Sequence, residues 1–208
     1  MTSTAEQALL PATRVRRADA ERNRAAILDA STAIIVEQGS LLDVREVARR
    51  SGVGMGTLYR HFPTKDELRN ASLDRLFRAW VTRARADAST IADPMAALEN
   101  FFERTLECRD RSRALNTAYG ARTHAPAAKC ELLLDPVIDE LRTRAQDAHL
   151  VRPDVTVEDL KLLLTALSQL AQTIGDTHPD AWRRVLRISL DGLSSEHTGA
   201  LPARPSNG

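Results

Sequence analysis

A stretch of nine residues in this 208-residue chain carries five side chains that can form hydrogen bonds with nucleic acid. They supply a hydroxyl, a phenol, a guanidinium, an imidazole and an ammonium group, from Thr57, Tyr59, Arg60, His61 and Lys65. Such groups bind phosphate oxygens, and an arginine also reads the edge of a guanine. If residues 55–62 form a helix, the polar groups share its outer faces, whereas Leu58 and Phe62 share the opposite one.

The residues on either side of this cluster follow the pattern of a helix, a turn and a second helix. Asp43 can N-cap a first helix, and Glu46 three residues later completes a capping box. Gly52 and Gly54 permit a sharp turn, because glycine tolerates a positive φ. The second helix is predicted over Met55 to Phe62. Spacing alone leaves two interpretations open, a DNA-reading helix and a solvated helical hairpin.

A longer match decides between them. The run VGMGTLYRHFPTKDEL at residues 53–68 resembles the DNA-binding domain of the TetR family of transcriptional regulators. The segments AILDA at 26–30 and EQG at 37–39 stand where that family has its first helix and its end. The resemblance covers residues 22–75, and the rest of the chain is interpreted on its own.

The resemblance implies contacts with DNA at matching positions. Tyr59, His61 and Lys65 would contact phosphates, and Thr57 a base or a phosphate. Arg60 could reach a guanine edge or the backbone. The candidate DNA-binding residues are Arg45, Gly54, Met55, Thr57, Tyr59, Arg60, His61 and Lys65.

Three positions depart from the family's pattern. Gly54 and Met55 stand where many members have a serine and a polar or basic residue, and Asp43 stands where threonine is common. Glycine and methionine offer no side-chain hydrogen bond to a base, although Met55 could touch a thymine methyl. The operator sequence is therefore left open.

Composition restricts the class of protein. The chain is 43% hydrophobic and 27% charged, and no apolar run is long enough to span a bilayer. The N-terminus lacks the pattern of a secretory signal, so we expect a cytoplasmic protein with no membrane partner. Residues 1–90 have a net charge of +4 and residues 91–208 a net charge of −3. This asymmetry fits a DNA-binding domain joined to a different domain.

The predicted fold is all-α, with about nine helices in two domains. A disordered basic arm at 1–18 lies along DNA or stays solvated. A three-helix helix-turn-helix domain occupies 19–64, with its first helix from Ala20 to Gln38 and Gly39 as the C-cap of that helix. A helical ligand-binding and dimerisation domain occupies 65–193, followed by a disordered tail at 194–208.

Capping residues and prolines predict the helices of the second domain. Thr64 and Asp93-Pro94 begin helices, and Thr156 with Asp159 caps another. Pro136 kinks its helix or starts a new one. The predicted spans are Thr64 to Ala86, from Asp93 onward, Arg109 to Gly120, Ala128 to His149, Thr156 to Ile174 and Asp180 to Leu193.

An aromatic pair marks a candidate ligand pocket in this domain. Phe101 and Phe102 are either core residues or the wall of a pocket, with Thr105 as a polar contact. The expected effector is a small, largely apolar molecule. The candidate pocket residues are Trp80, Phe101, Phe102, Thr105, Tyr119, Ile138 and Leu167.

The last two predicted helices carry an apolar surface broader than one neighbour can cover. The resemblance implies that they build a four-helix bundle between two subunits. The expected homodimer would match a palindromic double-stranded DNA operator. The candidate interface residues are Leu163, Leu167, Leu170, Ile174, Trp182, Leu186 and Ser189.

Other classes of function have less support. No acid, base or nucleophile cluster indicates an enzyme, and the basic first half argues against a module that binds only protein. Cys108 and Cys130 fit no metal-ligand spacing, and the five histidines are scattered, so we expect no cofactor and no metal site. The sequence predicts a ligand-responsive transcriptional regulator that is released from DNA by its effector, and the family favours a repressor.

Overall fold

The structure is a computed structural model that describes residues 4–38, 42–118, 127–174, 177–196, 199 and 201–202. Within these ranges it describes only the backbone of 4–15, 109–118, 127–132 and 172, and it contains eight helices. The helices are α1 (Thr4–Gln38), α2 (Val44–Ser51), α3 (Met55–His61), α4 (Lys65–Ser89), α5 (Pro94–Ala118), α6 (Ala127–Asp147), α7 (Val157–Ile174) and α8 (Ala181–Asp191). The predicted all-α class is confirmed, and eight is close to the expected nine. No helix in these ranges is both long and apolar enough to cross a membrane.

The chain divides into two compact units, Met1–Phe77 and Arg78–Gly208. In the first unit, α2 and α3 pack against α1 and against each other. Its core consists of apolar side chains from all three helices and the start of α4. The buried residues are Ile27, Leu28, Ala30, Ile34, Ile35, Leu42, Val47, Ala48, Leu58, Phe62 and Leu68.

In the second unit, α5 packs against α6, α7 and α8, and α7 packs against α6 and α8. Each of these helices contributes a stripe of buried apolar residues. Among them are Leu98, Phe101, Phe102, Leu134, Ile138, Leu160, Leu164, Leu167, Trp182 and Leu186. These four helices supply most of the core of this unit, to which Val81, Ala84 and Ala88 of α4 also belong.

The boundary between the units lies inside α4, between Phe77 and Arg78. The sequence placed it after residue 64, where α4 begins. The difference arises because Leu68 and Ser72 are fully buried in the first unit. The first turns of α4 thus complete the core around the helix-turn-helix.

The predicted capping residues begin their helices as expected. Asp43 Oδ1 accepts from Arg45 N at 2.9 Å, and Thr64 Oγ1 accepts from Glu67 N at 3.1 Å. Asp93 Oδ1 accepts from Met95 N at 2.9 Å, with Pro94 as the first residue of α5. Side-chain caps satisfy N–H groups that have no partner inside the helix.

Three spans differ from those predicted. α1 begins at Thr4, so that most of the arm expected to be disordered is helical; its alanine, leucine and glutamine residues have a high propensity for a helix. α5 continues to Ala118, because no glycine or proline interrupts it where a separate helix was expected from Arg109. α6 runs without a break through Pro136. Gly39 and Tyr119 lie outside the described residues.

The segment predicted as a tail begins with ordered backbone pairing. Ser194 forms an isolated antiparallel bridge with Val151, and Ser195 N donates to Leu150 O at 3.1 Å. Arg152, which is largely buried, binds both carboxylate oxygens of Asp154 at 2.6 and 2.7 Å. The backbone contacts of Ser194 and Ser195 join the segment after α8 to the loop after α6, more than forty residues earlier, and no local sequence pattern predicts them.

Candidate nucleic-acid interface

A left-handed glycine forms the turn between α2 and α3. Gly52 has φ 70° and ψ 15°, and Val53 N donates to Ala48 O at 3.2 Å. This is the conformation that glycine adopts without steric cost at the end of a helix. Gly54 has an ordinary φ of −71° and precedes α3 without a side-chain cap. The turn is therefore pinned at Gly52, one of the two glycines that the sequence singled out.

The short helix α3 has one buried side and one exposed side. Leu58 and Phe62 are almost completely buried, as predicted, and Arg24 of α1 lies over the Phe62 ring at 5.1 Å. Met55 and Tyr59 are 38% and 45% exposed, which is unusual for side chains of that size. Gly54, Gly56 and Arg60 are exposed as well, while Thr57 and His61 are half-buried. The outward side of α3 thus presents the predicted mixture of polar and apolar groups.

The cations near α3 fall into two groups. Arg49 binds the Glu46 carboxylate through two hydrogen bonds of 2.7 Å, and Arg50 bonds to Glu46 at 2.8 Å and to Glu37 at 2.7 Å. In contrast, within the described part of the chain no carboxylate pairs with the exposed residues Arg45, Arg60 and Lys65. These three remain available to phosphates.

The Glu46 carboxylate is held ionised by its arginine neighbours. Hydrogen bonds from Arg49 and then Arg50 lower its pKa from the ordinary 4.5 to about 2. The hydrogen bonds seen at the Glu46 carboxylate come from the arginines, and Asp43 caps α2 through Arg45 N, so the two residues do not form the predicted reciprocal capping box in the described structure. The sequence therefore identified the cap but not the true partners of Glu46.

The candidate pocket residues lie in the core of the second unit. Phe101, Phe102, Thr105, Ile138 and Leu167 are buried, and Thr105 Oγ1 donates to Phe101 O at 2.7 Å. Trp80 is half-buried, with its ring centroid 6.5 Å from that of Phe101. Buried apolar side chains at these positions fit both of the roles considered for the Phe pair.

The candidate dimer residues are split between the core and the surface. Leu167, Trp182 and Leu186 are buried within the chain itself and offer no surface to a partner. Leu163, Leu170, Ile174 and Ser189 are half-buried. The outward apolar side chains are instead Leu162 at 61%, Val185 at 38% and Ile188 at 59% exposure.

The division between buried and exposed residues of α8 has a simple geometric cause. Trp182, Leu186 and Leu190 follow each other at a spacing of four and form the inner stripe of α8. Val185 and Ile188 lie off that stripe and so point away from the core. The signal was present in the sequence as apolar residues that do not fit the main periodicity of the helix.

Across the described residues, no group of three or more His, Cys, Asp or Glu side chains is placed to hold a metal ion. The arrangement around α3 is one that binds polyanions through free cations and hydrogen-bond donors. Two short helices joined by a turn at Gly52 pack on a third helix and present these groups outward. This arrangement defines a helix-turn-helix DNA-binding protein.

Comparison with known proteins agrees with this class. Residues 27–71 match the model of bacterial regulatory proteins of the tetR family, and residues 93–195 match the SbtR-like C-terminal domain of transcriptional regulators. The HTH-type transcriptional repressor Rv3405c of Mycobacterium tuberculosis is 31% identical over an alignment of 176 residues, and the match covers 66% of this chain and 94% of that protein.

Solved structures show the same fold. A TetR transcription regulatory protein from Mycobacterium vanbaalenii is 33% identical, covers 86% of this chain and 98% of its own, and has a TM-score of 0.54. RolR, solved in complex with the ligand resorcinol, is 15% identical, covers 85% of this chain and 89% of its own, and has a TM-score of 0.62. The chain belongs to the TetR family of transcriptional regulators, which are DNA-binding proteins and not enzymes.

Proposed function

We propose that this protein is a ligand-responsive repressor that binds a palindromic operator as a homodimer and is released by a small, largely apolar effector. The observation that carries the proposal is the exposed side of α3, with Tyr59 pointing outward and three unpaired cations, Arg60 among them, on or beside this helix. A helix of this kind enters the major groove while neighbouring cations bind phosphates. The repressor Rv3405c, which is similar to this chain, supports the direction of control.

The exposed apolar residues of α7 and α8 support a homodimer. Leu162, Val185 and Ile188 lie on two helices that pack against each other, and large apolar side chains at such exposure favour a partner surface. A second copy of this chain would cover them in a twofold arrangement. Two copies of α3 would then read two half-sites, which requires a palindromic operator.

The apolar centre of the second unit supports a small effector. Phe101, Phe102, Ile138 and Leu167 provide apolar walls, and Thr105 Oγ1 keeps lone pairs with which it can accept a hydrogen bond from a ligand. RolR, which has the same fold, binds resorcinol, a small aromatic molecule. Linkage requires that effector and DNA weaken each other's binding to the same degree.

Binding to DNA is the experiment that tests the proposal first. The purified chain is titrated against labelled duplexes that flank its own gene, with fluorescence anisotropy as the signal and a series of salt concentrations. We expect tight binding to one palindromic fragment, two chains per site and a steep fall in affinity with salt. A scrambled duplex of the same composition is the control.

Equal and weak binding to every fragment, including the scrambled control, would contradict sequence-specific repression. One chain per site would contradict the dimer alone. Once an operator is known, small aromatic molecules are screened for release of the duplex. A molecule that binds the protein and leaves its affinity for the operator unchanged is not the effector.

A further inference from the structure

Gly56 lies in the middle of the outward side of α3, among larger side chains. Met55 precedes it, and Tyr59 and Arg60 follow at three and four residues, the spacing that brings helical neighbours together. All three of these side chains are exposed. Gly56 therefore leaves a notch in a surface that is otherwise filled.

The fold itself gives no reason for a glycine at this position. Gly56 lies within a helix and does not have the left-handed φ that makes Gly52 necessary. A Cβ built on Gly56 would meet no atom within 4 Å, whereas one on Gly192 would lie 3.3 Å from Ser189 O. Glycine also makes a helix less stable than alanine does, because its backbone loses more freedom on folding.

We propose that Gly56 is the point at which α3 approaches DNA most closely, so that the edge of the groove fills the notch. This inference rests on the proposed function, because it requires that α3 reads DNA. The side chains of Tyr59 and Arg60 would extend past the notch on the following turn and contact the groove beside it. Gly56 would then set how deeply α3 enters the groove and is a specificity-determining residue, although it carries no side chain.

At Gly56, stability and DNA affinity are expected to change in opposite directions. Gly56→Ala adds a methyl group into open space in the free protein, and we expect the midpoint of thermal unfolding to rise by about 1–4 °C. In the complex, the same methyl would meet packed atoms, and such overpacking lowers affinity by about tenfold or more. Gly56→Leu should keep the stability gain and lower the affinity further.

The test uses full-length protein and a duplex that the wild-type chain has selected from a random-sequence library. Anisotropy at fixed salt gives the affinity of each variant, and a thermal melt of the same sample gives its stability. Asn70→Ala is the matched control, because it also replaces a poor helix former at an exposed position. Asn70 is in α4, on a different side of that helix from Lys65. We expect Asn70→Ala to raise stability and to leave affinity unchanged.

The outcomes are distinct. Affinity that falls from glycine to alanine to leucine, while both variants are at least as stable as the wild type, supports close approach at Gly56. Unchanged or improved affinity in Gly56→Ala overturns it and leaves the proposed function intact. If the wild-type chain selects no duplex at all, the proposed function fails and this inference fails with it.

Discussion

Glu46 determines which cations of the helix-turn-helix are free to bind a phosphate. Its carboxylate engages Arg49 and Arg50, so these two guanidinium groups are already neutralised before DNA arrives. Arg45 lies one turn before Arg49 on the same helix and is exposed. Arg45 can therefore contribute more to phosphate binding than Arg49 or Arg50, although all three are arginines of the same helix.

Lys65→Ala should weaken binding to all duplexes and reduce the slope of log affinity against log salt by about 1, because one phosphate contact is lost. Arg49→Ala is the control, since Arg49 is paired with Glu46 and should contribute little to counterion release. Anisotropy titrations over a salt series measure both slopes. Equal changes in the two variants would contradict the assignment of Lys65 as a phosphate contact.

The lowered pKa of Glu46 predicts how the stability of the fold depends on pH. Because its pKa is lowered from 4.5 to about 2 in the folded state, its contribution is fully present above pH 4.5 and is lost as the pH falls towards about 2. Glu46→Gln lacks this contribution at every pH. We expect the unfolding midpoints of wild type and Glu46→Gln to differ near neutral pH and to converge on acidification. Two parallel curves in a series of melts between these pH values would be inconsistent with a lowered pKa.

At the scale of elements, α4 is fastened to α1 by a polar contact inside an apolar core. The hydroxyls of Ser31 and Ser72 are hydrogen-bonded to each other, and both residues are fully buried. Outside this core, Arg75 of α4 forms an ion pair with Asp29 of α1. The first turns of α4 are therefore fixed to the helix that supports the DNA-reading hairpin.

A double-mutant cycle on Ser31 and Ser72 should show their coupling. Each change to alanine is expected to cost about 1 kcal/mol, the usual net value of one hydrogen bond, because the remaining hydroxyl keeps a carbonyl partner in its own helix. The double variant should cost little more than either single one. Urea unfolding gives the three free energies, and Thr82→Ala, an exposed hydroxyl of α4, serves as the control. Additive costs would mean that the two serines act independently.

At the scale of the whole molecule, the proposed dimer buries the exposed apolar residues on the outer side of α8, so a change there should alter the oligomeric state. Ile188→Glu places a charge where a second copy would bury an apolar side chain, so we expect monomers at micromolar concentration and weaker operator binding. Val36→Glu is the control, because Val36 is even more exposed, at 72%, but lies on α1. Size exclusion with light scattering measures both. A dimeric Ile188→Glu would place the interface elsewhere.

Much of this protein could be predicted where the deciding contacts are local in sequence. Asp43, Thr64, Asp93 and Thr156 cap helices through atoms two or three residues away, so their types and spacing suffice. The turn at Gly52 is equally local. The inner side of α3 follows from Leu58 and Phe62, because a helix of known start has a fixed periodicity.

Features that depend on distant neighbours could be found only in the tertiary structure. From sequence alone, the Glu46 carboxylate could accept from the backbone N–H of the N-cap residue or from two arginines, and the structure pairs it with the arginines. The pairing of Ser31 with Ser72 joins residues 41 positions apart. In α8, Trp182 and Leu186 face inward and Ile188 outward, because packing against α5 and α7 covers one stripe of the helix and leaves the other. Local patterns fix where a helix begins and ends, whereas the choice of which side is buried belongs to the elements that pack against it.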